Sequence, residues 1–326
     1  MRSPFARLAA LAALCALFLT TGAAEAARRQ VERVQVRSVV APSADQPGGL
    51  VEVPPQVTTH ARPALWLVSD HDTKIYLFGT VHALPKGIGW YEGPIASAFE
   101  QSQELVTEIL ETDPAQMQAA VLAKAVLPKD SKPLRELMTP ANRTAYEAAL
   151  KTYGLPEASF DRLKPWYVAV YLSALPVIRD GFDPTNGVEQ GLNARARTLT
   201  RQHTAFETAE YQLGLFDSLS QDVQLRYLAD VIETMPKARN ELTAMVDAWK
   251  RGDADTLARL MNEDQDEPAL TQKLLIDRNA NWANWIKARL DKPGTVFVAV
   301  GAGHLAGTGS VQQQLQAKGI ASTRVQ

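Results

Sequence analysis

Ile75-Tyr76-Leu77-Phe78-Gly79-Thr80-Val81-His82 is the stretch whose reading decides the fold. Four apolar or aromatic residues in a row read as a buried strand. A glycine breaks the strand, and a histidine follows three positions later. Near the other end, Val296-Phe297-Val298-Ala299-Val300-Gly301-Ala302-Gly303-His304 repeats the device: apolar strand, glycine, two small residues, histidine. Two such units so far apart in sequence imply a fold that brings two imidazoles to one place. In α/β folds, sites collect at the carboxyl ends of strands, and a glycine there lets the backbone turn sharply near a ligand.

Ala64-Leu65-Trp66-Leu67-Val68 reads as a strand, and the turn residues Ser69-Asp70-His71-Asp72 join it to Ile75–Phe78 as a hairpin. Pro94 opens a helix to about Ser102, and Glu104–Leu110 reads as the next strand. From Ala115 to about Gly181 apolar residues recur at helical spacing, with Pro128, Pro140 and Pro156 dividing the stretch. A helix carrying Val188, Leu192, Ala196 and Leu199 follows, then a short strand at Thr204–Glu207 and a helix with Thr208 as its N-cap. Residues 221–262 are helical, Asn262–Glu267 is an acidic break, and a long helix spans about Pro268 to Leu290. The Val296–Val300 strand, a helix from about Gly309 and a strand at Ala321–Val325 come last. The pattern predicts an α/β fold: a single domain over 64–326 with a central mixed sheet flanked by helices and a large helical insertion at about 115–200.

The chain has 326 residues, 46% of them hydrophobic and 21% charged, an ordinary globular composition. A net charge of −2 gives no basic surface for nucleic acid. Arg2 and Arg7, an apolar run over Leu8–Leu19 and Ala24-Glu25-Ala26 have the layout of a signal peptide over residues 1–26. Residues 27–63 read as a flexible leader with weak strand character at Val34–Val40. Leu14 before the single cysteine, Cys15, argues against lipidation. Cleavage would remove Cys15, leaving no disulfide, thiolate ligand or cysteine nucleophile. The expected setting is periplasmic or secreted, with no stable membrane span after cleavage.

Of the five histidines, His60, His71 and His203 sit among polar neighbours and read as surface residues. His82 and His304 follow strand and glycine, and each reads either as a ligand or as a loop cap. Glu108 ends an apolar strand, where a charge is costly unless paired or metal-bound; a salt bridge to a helix arginine is the plainer explanation. Glu207 ends a second strand beside a helix N-terminus, whose dipole it would also serve. Two imidazoles and two carboxylates make a mixed ligand set suited to a divalent ion such as zinc, manganese or cobalt. A spare carboxylate could then act as base toward a metal-bound water. Arg278-Asn279 lies mid-helix among apolar residues. Arg278 reads as a cation over the pocket, as a partner of Glu108 or Glu207, or as an ordinary helix charge; Trp282 and Trp285 read as core. No P-loop, dinucleotide fingerprint, Gly-x-Ser-x-Gly elbow or His-Glu-x-x-His helix occurs.

Leu65-Trp66-Leu67, Leu77-Phe78-Gly79-Thr80-Val81-His82-Ala83-Leu84-Pro85, Val106-Thr107-Glu108-Ile109, Gly187-Val188-Glu189-Gln190, Glu207-Thr208-Ala209-Glu210-Tyr211-Gln212-Leu213, Asp277-Arg278-Asn279 and Val298-Ala299-Val300-Gly301-Ala302-Gly303-His304-Leu305 occur in this order. Together they resemble the TraB/GumN family, related to the Tiki-type proteins and more distantly to the ChaN and erythromycin-esterase (EreA) group. The resemblance covers about residues 64–325. It implies an EreA/ChaN-like α/β fold with a metal site, and Tiki-type relatives act as metal-dependent proteases using manganese or cobalt. By position, His82 and His304 fall on the family's motif histidines, Glu108 and Glu207 on its acidic positions and Arg278 on its Arg-Asn motif. Glu189 stands where many members carry aspartate.

The expectation is therefore a metal-dependent hydrolase of the bacterial envelope, a peptidase acting on a peptide or protein. Its metal ligands would be His82, Glu108, Glu207 and His304, with Arg278 beside them. The rivals are a protein binding haem or another small molecule on the same fold, and a non-catalytic factor that grips a partner protein.

Overall fold

A computed structural model of the chain describes residues 57–111, 113–262 and 268–326. The expected signal peptide, the strand at Val34–Val40 and the acidic residues 263–267 lie outside the described residues. Strands β1 (Thr59–His60), β2 (Leu65–Ser69), β3 (Thr73–Thr80) and β4 (Ile88–Gly89) come first, then α1 (Gly93–Gln101) and β5 (Glu104–Thr107). Helices α2 (Pro114–Ala125), α3 (Leu134–Leu137), α4 (Pro140–Thr152), α5 (Pro165–Arg179) and α6 (Val188–Thr198) lead to β6 (Gln202–Ala205). Beyond it lie α7 (Ala209–Asp217), α8 (Gln221–Thr234), α9 (Ala238–Lys250), α10 (Ala254–Asn262), α11 (Pro268–Thr271) and α12 (Asp277–Arg289). The last elements are β7 (Gly294–Gly301), α13 (Val311–Gln316) and β8 (Thr323–Arg324).

Six strands form one mixed sheet in the order β6-β5-β7-β3-β2-β8. The first four are mutually parallel; β2 joins β3 antiparallel through the expected hairpin, and β8 adds antiparallel to β2. The apolar runs are continuous because both faces of the sheet are covered. Tyr76, Phe78, Phe297 and Ala299 pack under α1, α6, α9 and α10. Their neighbours Ile75, Leu77, Val296, Val298 and Val300 pack on the other face, under α12 and α13. Each full burial of a Leu- or Phe-sized side chain stabilises by about 1.5–3 kcal/mol.

Three expectations change. Thr59–His60 falls in the expected leader, yet it pairs parallel with β4. Ala61 is buried there, and Arg62 N donates to Lys250 O at 2.7 Å. That pairing runs through backbone groups, so the polar side chains gave no sign of it. The helical layer also exceeds 115–200. It fills both crossovers flanking β6, with α8 packed on α5 and α7 on α2 around a separate core that includes Tyr146, Trp166, Phe216 and Tyr227.

The long helix expected over Pro268–Leu290 is broken by a π-helical turn at Gln272–Ile276, where Asp277 N donates to Gln272 O. One residue more per turn shifts the register of α12 relative to α11, and such turns recur at functional sites. Here Leu274 O accepts from the side chain of Arg278 at 3.0 Å. Among the described residues no helix is long and apolar enough to cross a membrane.

Candidate active site

The four parallel strands end side by side, and each delivers one predicted residue just past its carboxyl end. Across the sheet the order is Glu207 after β6, Glu108 after β5, His304 after β7 and His82 after β3. The strand expected over Glu104–Leu110 ends at Thr107, and past it Phe206 N donates to Thr107 O at 3.0 Å and Glu207 N to Glu108 O at 2.9 Å. Thr80 lies opposite Gly301 in the register of β3 and β7, which sets the two histidine loops next to each other.

Arg278 is the hub. Its side chain is 1% exposed and comes up from the start of α12. Nη2 donates to Glu108 Oε2 at 2.6 Å and lies 2.9 Å from Glu207 Oε2, while Nε donates to both Glu207 oxygens at 3.0 and 3.1 Å. Gln212 Nε2 bridges the carboxylates, at 2.9 Å from Glu207 Oε2 and 3.2 Å from Glu108 Oε2. Trp282 Nε1 donates to Glu207 Oε1 at 3.0 Å, and the Trp282 ring lies under the guanidinium at 4.8 Å. Burial alone would raise the Glu108 pKa. The Arg278 charge, with Gly301 N donating to Oε1 at 2.7 Å, instead holds it well below the usual carboxylate range. Burial pulls the other way on Arg278 too, but the two carboxylates raise its pKa and keep it charged.

One protonation pattern satisfies His304. Asn279 Nδ2 donates to Gly309 O at 2.8 Å, which turns Asn279 Oδ1 toward His304 Nδ1 at 2.6 Å. That oxygen only accepts, so Nδ1 carries the proton and Nε2 carries a lone pair. Arg278 Nη1, which only donates, lies 3.2 Å from that lone pair. The ring is neutral, its pKa pushed down to about 3 by burial and then by the Arg278 charge.

His82 is held differently. Its Nδ1 lies 2.6 Å from Glu189 Oε1, an oxygen that also accepts from Thr80 Oγ1. Glu189 reaches the ring because α6 begins directly against the His82 backbone: Val188 N donates to Val81 O at 3.0 Å, and any side chain at Gly187 would collide with the His82 carbonyl. Gly301 serves a different purpose. Its backbone (φ −49°, ψ 134°) suits any residue, but a Cβ there would sit 3.2 Å from Glu108 Oε1 and 3.6 Å from His82 Nε2. The missing side chain leaves room between an imidazole and a carboxylate. A cavity of about 40 Å³ opens at this point, lined by Thr80, His82, Glu108, Gly301 and His304 on its polar side.

The four-ligand metal centre expected from the sequence does not fit this arrangement. Glu207 and Glu108 already share a cation, the Arg278 guanidinium. Both nitrogens of His304 are engaged, by Asn279 and Arg278. Among the described residues, donors of three such side chains come within 4.8 Å of one another only in the exposed turn Asp70-His71-Asp72. There Asp70 Oδ1 accepts from Asp72 N and Thr73 N, as turn aspartates do.

His60 and His71 are exposed, His60 beside Glu92 at 2.7 Å. His203, expected on the surface, is half-buried: its Nε2 lies 2.9 Å from Thr107 Oγ1, and burial lowers its pKa. Trp282 is core as expected, and it is also a hydrogen-bond donor of the site. Sequence reading missed Glu189, Gln212 and Thr80 as site members. All three lay inside the quoted motifs, but Glu189 and Gln212 sit near helix starts, where polar residues are commonplace.

Fold and site together define an α/β protein whose parallel strand ends carry a Gly-x-x-His pair around a buried arginine–carboxylate cluster. The TraB/PrgY/gumN family model matches residues 64–324, and the chain belongs to that family. No curated protein and no solved structure gives a match.

Proposed function

We propose that the protein is an exported hydrolase that cleaves an acyl bond, most simply a peptide bond, with His82 as general base. The observation that carries this reading is the 2.6 Å contact of the largely buried His82 Nδ1 with Glu189 beside a small cavity. The carboxylate fixes the proton on Nδ1 and directs the lone pair of Nε2 toward the space beside Gly301. A water in that space gives a proton to Nε2 as its oxygen bonds to the carbonyl carbon. Glu189 compensates the charge the ring gains. When the intermediate collapses, the carbon–nitrogen bond breaks and the same proton passes to the leaving nitrogen. Ionised Glu108, held by Arg278, faces the same imidazole and adds to that compensation.

This reading assigns the base to His82 rather than to a metal-bound water, because Arg278 already holds both Glu108 and Glu207. Export to the periplasm or beyond rests on the signal-peptide layout of residues 1–26.

The test is turnover of a fluorogenic peptide and ester panel with excess EDTA present. Wild-type protein retains its activity in the chelator, and His82→Ala loses about 100-fold or more. Loss of activity in EDTA that manganese or cobalt restores, or full activity of His82→Ala, overturns the reading.

A further inference from the structure

The cavity beside His82 has two unlike walls. The polar wall carries the imidazole and Glu108. The opposite wall is apolar: Leu242, Met245 and Val246 from α9, with Leu257 and Met261 from α10. Among the described residues no charged side chain lines that second wall. It is also firmly placed relative to the base. Trp249 on α9 donates from Nε1 to Gly79 O at 2.8 Å, at the end of the strand that carries His82. Helix α10 packs on the turn that bears His304.

Such a wall judges whatever group lies beside the bond under attack. A charged group placed there loses its hydration and finds no partner, which disfavours it strongly. Size is limited as well, since about 40 Å³ is room for only about three water-sized groups. The two methionines add some give, because an unbranched thioether repacks readily.

We infer that the α9–α10 wall is a specificity subsite for a small aliphatic side chain or acyl group, of roughly one to three carbons, next to the scissile carbonyl. The inference rests on the hydrolase reading for its chemistry, and on the cavity alone for its selectivity.

The experiment uses the full chain and a series of N-acetyl aminoacyl para-nitroanilides carrying Ala, Val, Phe, Lys or Asp, read as kcat/KM. In parallel, thermal shifts are recorded with N-acetyl-valinamide and N-acetyl-lysinamide. Ala and Val substrates are expected to exceed Phe, Lys and Asp by about 10-fold or more, and only the valinamide raises the melting temperature. Met245→Ala, which widens the wall, shifts the preference toward Phe. If that variant does not fold, the wild-type series and the thermal shifts still decide. Hydrolysis with no preference among side chains overturns the subsite and leaves the hydrolase standing. A selective thermal shift with no hydrolysis keeps the subsite and removes the hydrolase. The absence of both hydrolysis and selective binding overturns the subsite.

Discussion

Arg278 Nη2 donates to Glu108 Oε2 at 2.6 Å, and both side chains are almost fully withdrawn from solvent. A buried ion pair is seldom a net source of stability, because desolvation offsets the attraction. Its value here is positional. The guanidinium fixes Glu108, Glu207 and the lone pair of His304 in one rigid group, and so sets the polar wall of the cavity.

Removing that cation leaves two carboxylates buried with no counter-charge. Arg278→Met is expected to destabilise the protein by about 3–5 kcal/mol, read from chemical denaturation. The vacated position would then suit a small divalent ion. Manganese is expected to raise the melting temperature of Arg278→Met and to leave wild type unchanged. Stabilisation of wild type by manganese, with none in the variant, would show that the arginine does not occupy the ion's place.

Glu189 acts through His82 rather than on substrate, which makes its charge and reach separable. Glu189→Gln keeps an acceptor near Nδ1 but removes the negative charge, and is expected to lower kcat by about 100-fold with little change in melting temperature. Glu189→Asp restores the carboxylate at the end of a shorter side chain, so it should recover much of that loss. A Gln variant as active as wild type, in a full pH–rate profile, would remove Glu189 from the mechanism.

The contrast between Glu108 and Glu189 shows what sequence can and cannot convey. Glu108 was legible because a charge directly after an apolar strand is conspicuous, Glu207 because it was read as ending a second short strand, and the histidines because two strand-Gly-x-x-His units occur in one chain. Glu189 was not, since an acid in the first turn of a helix is ordinary. Its role comes from the close approach that Gly187 permits, a tertiary fact. The π-helical turn before Arg278 has no compositional signature either. Arg278 was singled out as a partner for Glu108 or Glu207, yet its engagement with both at once depends on how β5 and β6 end together. A count of ligand types likewise does not convey that one arginine holds both carboxylates.

Gly301 separates a requirement for space from a requirement of backbone. Its dihedral angles suit any residue, so Gly301→Ala should fold with only a small change in melting temperature. The new Cβ would stand 3.2 Å from Glu108 Oε1 and 3.6 Å from His82 Nε2, where the attacking water is required. Displacing it is expected to cost about 10- to 100-fold in kcat. A variant with unchanged kinetics would mean that the reaction does not use this space.

Acid should unfold the protein in two stages, with signs set by the buried cluster. His304 binds its proton near 6.5 when unfolded and only at about 3 when folded. Between those values the unfolded chain holds the extra proton, so stability present above pH 6.5 is lost as the pH falls. Glu108, normally near 4.5, remains ionised in the fold far below that, and adds a second proton in the same direction once the pH drops under 4.5. Each proton contributes a slope of about 1.4 kcal/mol per pH unit. Denaturation series from pH 7 to 4 should therefore show a gentle decline that steepens near 4.5. His203, whose pKa is also lowered by burial, adds to the first stage with the same sign. The difference between wild type and His304→Gln cancels that shared contribution, and the variant should lose less stability between pH 6.5 and 4.5. Parallel curves for the two proteins would mean that His304 is not held neutral in the fold.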